Sequence, residues 1–102
     1  MKTDAFGPAF GDLPAHMQDG ARAYIQHGLM PGGFLFSVLC NDLHQSFCKA
    51  DWSNERNMKQ WAAWLESIPR GAWGSKESVN NWIEVGGLDG LAQEKEAARD
   101  GQ

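Results

Sequence analysis

Residues 34–50 read Phe34-Leu35-Phe36-Ser37-Val38-Leu39-Cys40-Asn41-Asp42-Leu43-His44-Gln45-Ser46-Phe47-Cys48-Lys49-Ala50, and the spacing of their apolar side chains decides the fold class. Phe36, Leu39, Cys40, Leu43 and Phe47 recur at intervals of three and four, the repeat of one face of an α-helix. Leu35 and Val38 widen that stripe. No strand-like alternation competes with it here or elsewhere in the chain. The stretch predicts one helix over 34–50, the most buried of the molecule. Around it we expect an all-α domain of four to five short helices.

Upstream, Asp12 reads as a cap and Pro14 as first-turn residue of a helix that turns Leu13, Met17, Ala21, Tyr24 and Ile25 inward. Gly28 stops it, with His27 in the last turn. Gly20 either weakens its middle or admits a close neighbour. Downstream, Asp51 or Ser53 caps a third helix through Ser67. Met58, Trp61, Ala62, Leu65 and Ile68 share one side of it, Trp64 lies beside them, and Pro69 follows its end. Ser75 caps a fourth helix with Val79, Trp82 and Ile83 inward and Gly86-Gly87 as its stop. Residues 1–11, with Phe6 and Phe10 as anchors, read as a flexible arm. Residues 12–90 form the helical domain, and 91–102 a polar tail.

Composition narrows the class of molecule. The chain has 102 residues, 42% hydrophobic and 22% charged, which suits one soluble domain. Nine basic against thirteen acidic residues leave a net charge of −4, and the sequence pI is 5.2. A duplex DNA binder needs a basic face to displace counterions, so this balance argues against one. No signal peptide or membrane-spanning run is legible, and the expected location is the cytoplasm of the cell that makes it. Five Trp and five Phe in so short a chain serve either the core or stacking platforms. A core this small also makes a homo-oligomer a reasonable expectation.

Catalytic and metal chemistry find little support. Cys40 and Cys48, eight apart on one helix, would lie roughly 12 Å from each other along its axis, too far for a disulfide. They read as reduced, mostly buried thiols. Cys40, His44 and Cys48 share a stripe, but no further ligands complete a metal site. No nucleophile motif is present, and Asp42, His44, Asp51 and Glu55 form only a generic acidic combination. We expect no enzyme, no cofactor and no metal.

Two glycine-marked helix starts carry the binding hypothesis. One is Pro31-Gly32-Gly33-Phe34 and the other Arg70-Gly71-Ala72-Trp73-Gly74-Ser75-Lys76. The first turn of a helix offers unpaired N–H groups and partial positive charge, and glycine lets a phosphate approach. Arg70 and Lys76 add charge, and Trp73 either stacks on a base or plugs the core. The expected site joins Gly32 and Gly33 to Trp73, Gly74 and Ser75. Arg70 and Lys76 would neutralise the anion there, and Asn41 or Asp42 would accept hydrogen bonds from a ribose or base.

As an ordered set, Pro31-Gly32-Gly33-Phe34-Leu35, Asn41-Asp42-Leu43, Ala50-Asp51, Asn54, Trp73-Gly74-Ser75, Trp82 and Gly86-Gly87-Leu88 resemble a group of small proteins encoded by tailed phages and prophages. The resemblance spans roughly residues 13 to 90. Many members have Ser where this chain has Gly33, and a Tyr-Asn pair where it has Trp64-Leu65. The resemblance implies a phage accessory protein acting in the host cytoplasm, with no family-wide activity to carry over. The first reading is a counter-defence sponge that sequesters a nucleotide immune signal, such as a cyclic dinucleotide or an ADP-ribose derivative. The alternatives are a protein-binding inhibitor of a host defence complex, for instance a CRISPR effector, and a phage regulatory or morphogenetic factor.

Overall fold

A computed structural model describes residues 10–100, with side chains described through residue 96. Residues 1–9 of the expected arm lie outside the described residues. Among the described residues there is no strand, and the all-α expectation holds, with more helices than expected. Seven α-helices follow one another: α1 (Ala15–His27), α2 (Gly33–Leu39), α3 (Leu43–Lys49), α4 (Trp52–Arg56), α5 (Met58–Ser67), α6 (Lys76–Val85) and α7 (Gly87–Asp100). Two single 3-10 turns, Phe10–Asp12 and Arg70–Ala72, precede α1 and α6.

The increase in number comes from two interruptions. The helix expected over 34–50 is broken at Asn41-Asp42. Asn41 takes a left-handed φ of 64°. Its N–H donates to the Val38 carbonyl at 3.0 Å, and the Asp42 N–H donates to the Ser37 carbonyl at 3.0 Å. This paired closure satisfies the orphan carbonyls of α2, and Asn is among the few non-glycine residues that enter it readily. Asp42 then starts α3, its carboxylate accepting from the Gln45 N–H at 3.1 Å. The two short helices pack on each other, in the most extensive helix–helix contact among the described residues. The expected third helix is likewise split, with Asp51 capping α4 through the Asn54 N–H at 2.7 Å and Asn57 separating α4 from α5.

Breaking the central helix redistributes its stripe. Leu35, Val38 and Leu39 are buried, whereas Leu43 is 70% and Phe47 is 47% exposed. Both were expected in the core. The core is completed by Leu13, Tyr24 and Ile25 beneath α1, by Trp61, Trp64 and Leu65 of α5, and by Ala72, Val79 and Trp82. Trp61 is the hinge of an aromatic row, edge-on to Phe34 at 5.4 Å and to Trp64 at 5.5 Å. Such edge-to-face contacts contribute about 0.5–1.5 kcal/mol beyond their burial.

Buried polar groups lock the elements in register. The Tyr24 hydroxyl donates to the Ala72 carbonyl at 2.6 Å, while the Trp82 indole donates to the Tyr24 carbonyl at 3.0 Å. One residue of α1 thus ties both the 3-10 turn and α6. Burial, reinforced by Cys40, raises the Tyr24 hydroxyl well above its ordinary pKa, so it stays a donor. Asn54, also buried, accepts from the Trp61 indole at 3.2 Å.

Three of the expected helix-end signals hold, and that of Asp12 does not. Gly28 and Gly86 close α1 and α6 in left-handed conformations, and Ser75 caps α6 through the Ser78 N–H at 3.0 Å. Asp12 does not cap α1, because the 3-10 turn places it before Pro14, which occupies the cap position without a side-chain bond. Helix α7 packs along α1 and continues to Asp100 through the segment read as a polar tail. No helix among the described residues is long and apolar enough to cross a membrane.

Candidate functional site

The Trp73-Gly74-Ser75 turn docks on the C-terminal end of α2. Gly74, at φ 122°, donates its N–H to the Leu39 carbonyl at 2.8 Å. The expected meeting with Gly32 and Gly33 does not occur, since those residues open the same helix about 10 Å away, at its other end. The turn instead brings Lys76, the first residue of α6, to the Asn41-Asp42 corner. Trp73 is half-buried against the core and Arg70 is exposed in the 3-10 turn. Neither reaches the cavity that Lys76 enters.

That cavity holds about 340 Å³ and is lined by Phe36, Ser37, Cys40, Asp42, Gln45, Lys49 and Lys76. Helices α2 and α3 supply its walls, and α6 contributes the second ammonium. Lys49 lies across the start of α2, where a Cβ on Gly33 would meet its Cδ at 3.5 Å. That is ordinary van der Waals contact, so Gly33 borders the Lys49 stem without being required by it. Neither Lys49 nor Lys76 takes part in an ion pair among the described residues. The Asp42 carboxylate is occupied as the α3 cap. The pocket therefore presents two ammonium groups against the one Asp42 carboxylate, together with an amide, the Ser37 hydroxyl, one half-buried aromatic ring and a thiol.

Burial raises the Cys40 thiol above its ordinary value, with Lys76 opposing and Asp42 reinforcing the shift. Both cysteines are free. They belong to separate elements rather than to one helix, and the expected burial fails for Cys48, which is exposed with its Sγ 3.6 Å from His44 Nε2. Cys40 is half-buried.

Of the expected site residues, Asp42 and Lys76 share this cavity, and Gly74 and Ser75 position Lys76 from behind. Gly33 borders Lys49. Gly32 is exposed at the start of α2, and Asn41 turns toward a second cavity. Lys49, Gln45, Phe36 and Cys40 were missed as site residues. Gln45 and Lys49 are spaced i, i+4, as are Phe36 and Cys40, which is the signal that each pair shares a helix face.

The second cavity is an apolar groove of about 340 Å³ between α3 and α5. Leu43 and Phe47 form one wall, Met58 and Ala62 the other, over a floor that includes Trp61. Asp42 and Lys59 are its charged lining residues. Compared with known proteins, the chain matches no family model, no curated protein and no solved structure.

Proposed function

We propose that the protein is a non-catalytic binder of a phosphorylated small molecule, held in the Lys49/Lys76 cavity. The observation that carries this reading is the convergence of two lysines from different helices, neither engaged by a carboxylate, on one pocket of small-ligand size. Two ammonium groups supply the charge a phosphate or pyrophosphate needs. Gln45 adds a donor and an acceptor, and Phe36 gives an apolar surface beside them. The nucleotide class, a cyclic dinucleotide or an ADP-ribose derivative, and the counter-defence role come from the phage-protein resemblance in the Pro-Gly-Gly-Phe, Asn-Asp-Leu, Trp-Gly-Ser and Gly-Gly-Leu set. A sponge needs capture rather than turnover.

Thermal shift against cyclic dinucleotides, ADP-ribose derivatives and inorganic pyrophosphate tests the reading. A ligand at 100 times its dissociation constant adds about 2.7 kcal/mol to stability. Stabilisation by one nucleotide class, weakened by added salt, is the expected result. A flat response across all three overturns the reading.

A further inference from the structure

We propose that His44 and Cys48, both exposed on α3, form a bidentate site for a thiophilic metal ion of the zinc type. The two residues stand four apart on one helix, so α3 turns both side chains the same way. The His44 Nε2 and the Cys48 Sγ lie 3.6 Å from each other. Bonds of about 2.1 Å to a ring nitrogen and about 2.3 Å to a sulfur, opened at the tetrahedral angle, hold their ligand atoms about 3.6 Å apart. The separation is therefore the bite of a tetrahedral ion, reached without moving the helix. Exposure of both residues lets an ion arrive from solvent. A thiolate beside an imidazole selects zinc-type ions over magnesium and calcium, which demand oxygen ligands.

The break at Asn41-Asp42 is what isolates the pair. On one continuous helix Cys40 would extend the stripe. Instead it closes α2 and lines the Lys49/Lys76 cavity, whereas neither His44 nor Cys48 lines that cavity or the apolar groove. The metal pair and the ligand reading therefore stand or fall separately. Among the described residues no third His, Cys, Asp or Glu stands close enough to share the ion. A two-ligand site departs from the expectation of no metal, which turned on a full ligand set. The other two positions of a tetrahedral ion fall to solvent or to an incoming donor, the mark of an open site. Such an ion exchanges and does not build the fold, since Asp42 already caps α3. Binding displaces the Cys48 thiol proton, which leaves to solvent.

Titration of the full, reduced chain with Co²⁺, a spectroscopic stand-in for Zn²⁺, tests the site. The expected result is a sulfur-to-cobalt charge-transfer absorption that saturates at one ion per chain. Added Zn²⁺ should abolish it, because zinc binds nitrogen and sulfur ligands more tightly than cobalt does, and excess Mg²⁺ should leave it unchanged. Cys48→Ser should remove the band. His44→Ala should weaken Co²⁺ binding about tenfold or more, a loss that even changes outside the ligand shell can produce. Cys40→Ser should leave band and affinity as in the wild type. Both ligands are exposed, so the far-UV circular dichroism of the variants should match that of the wild type. No band with cobalt in large excess, a band that depends on Cys40 rather than Cys48, or binding indifferent to His44→Ala overturns the proposal. An endpoint of half an ion per chain also overturns it, because a second copy would then complete the coordination and the site would be closed.

Discussion

Gly28 and Gly87 meet backbone to backbone where α1 ends and α7 begins. A Cβ on Gly28 would lie 2.8 Å from the Gly87 nitrogen, and one on Gly87 would lie 2.6 Å from the Gly28 nitrogen. Both residues have positive φ, 69° and 67°. The contact sets how closely α7 can run along α1, and His27 reinforces it through Asp89 at 2.8 Å. Gly87→Ala combines backbone strain with a backbone clash. Gly86→Ala meets only strain, because its Cβ would have ordinary contact with Gly90 at 3.5 Å. Urea denaturation should therefore rank Gly87→Ala as the more damaging, with Gly86→Ala costing about 1–2 kcal/mol. Gly20 is the contrast. Its Cβ would meet nothing within 4 Å, so Gly20→Ala in mid-helix should stabilise by roughly 0.5–1 kcal/mol.

The Asn41-Asp42 corner is where hydrophobic spacing misleads. Phe36, Leu39, Cys40, Leu43 and Phe47 keep helical periodicity across a break, because α2 and α3 each retain their own register. The information that breaks the helix is polar: Asn tolerates the left-handed conformation, and Asp caps the next helix. The stop and the start stand in those two adjacent polar residues, which apolar spacing does not register. Asn41→Gly should be neutral or stabilising, whereas Asn41→Val, β-branched at φ 64°, should destabilise by more than about 1 kcal/mol. Asp42→Ala should cost about 1 kcal/mol through the lost cap. Chemical denaturation of the three variants checks the order.

Buried hydrogen-bond pairings were not legible at all. Nothing in the spacing of Asn54 and Trp61 says that the amide of one receives the indole N–H of the other, because the link depends on the bend between α4 and α5. Asn54→Ala leaves that N–H buried without its acceptor, and a loss of about 1–3 kcal/mol is expected in thermal or urea melts. Asn54→Asp keeps an acceptor oxygen but brings a charge into a buried position, so it should not restore full stability.

Asp51 gives a pH dependence of known sign. The Asn54 N–H, with His16 at 3.1 Å and the Ser53 N–H adding to it, holds the Asp51 carboxyl below its ordinary value against the opposing effect of desolvation. A depressed folded-state value means that the contribution is fully present above the unfolded carboxylate range, about 3.9 for Asp. It is lost as pH falls through the lower folded-state value. Asp51→Asn keeps a capping oxygen and removes the titration. Melting temperature should thus fall more steeply for the wild type than for Asp51→Asn below about pH 4. Parallel curves would show that the cap does not sense protonation.

The candidate pocket was half legible, and that half locates its most informative test. Lys76 was visible as a cation at a glycine-marked helix start, but Arg70 and Trp73 beside it do not line the cavity, Trp73 being packed against the core. Lys49 was invisible, since only the reversal at Asn41-Asp42 brings the end of α3 back over Gly33. If the two lysines hold an anion, Lys49→Ala and Lys76→Ala should each weaken nucleotide binding several-fold, and the double variant should lose the salt dependence of affinity as well. Arg70→Ala, exposed and outside the cavity, should bind as the wild type does. All three positions are exposed and unpaired among the described residues, so folding should be nearly unaffected and circular dichroism serves as the control. Calorimetric titration that found Arg70→Ala defective and both lysine variants intact would move the anion to the 3-10 turn. That outcome would separate the ligand from the α2–α3 hairpin, and with it from the cavity that Lys49 and Lys76 share.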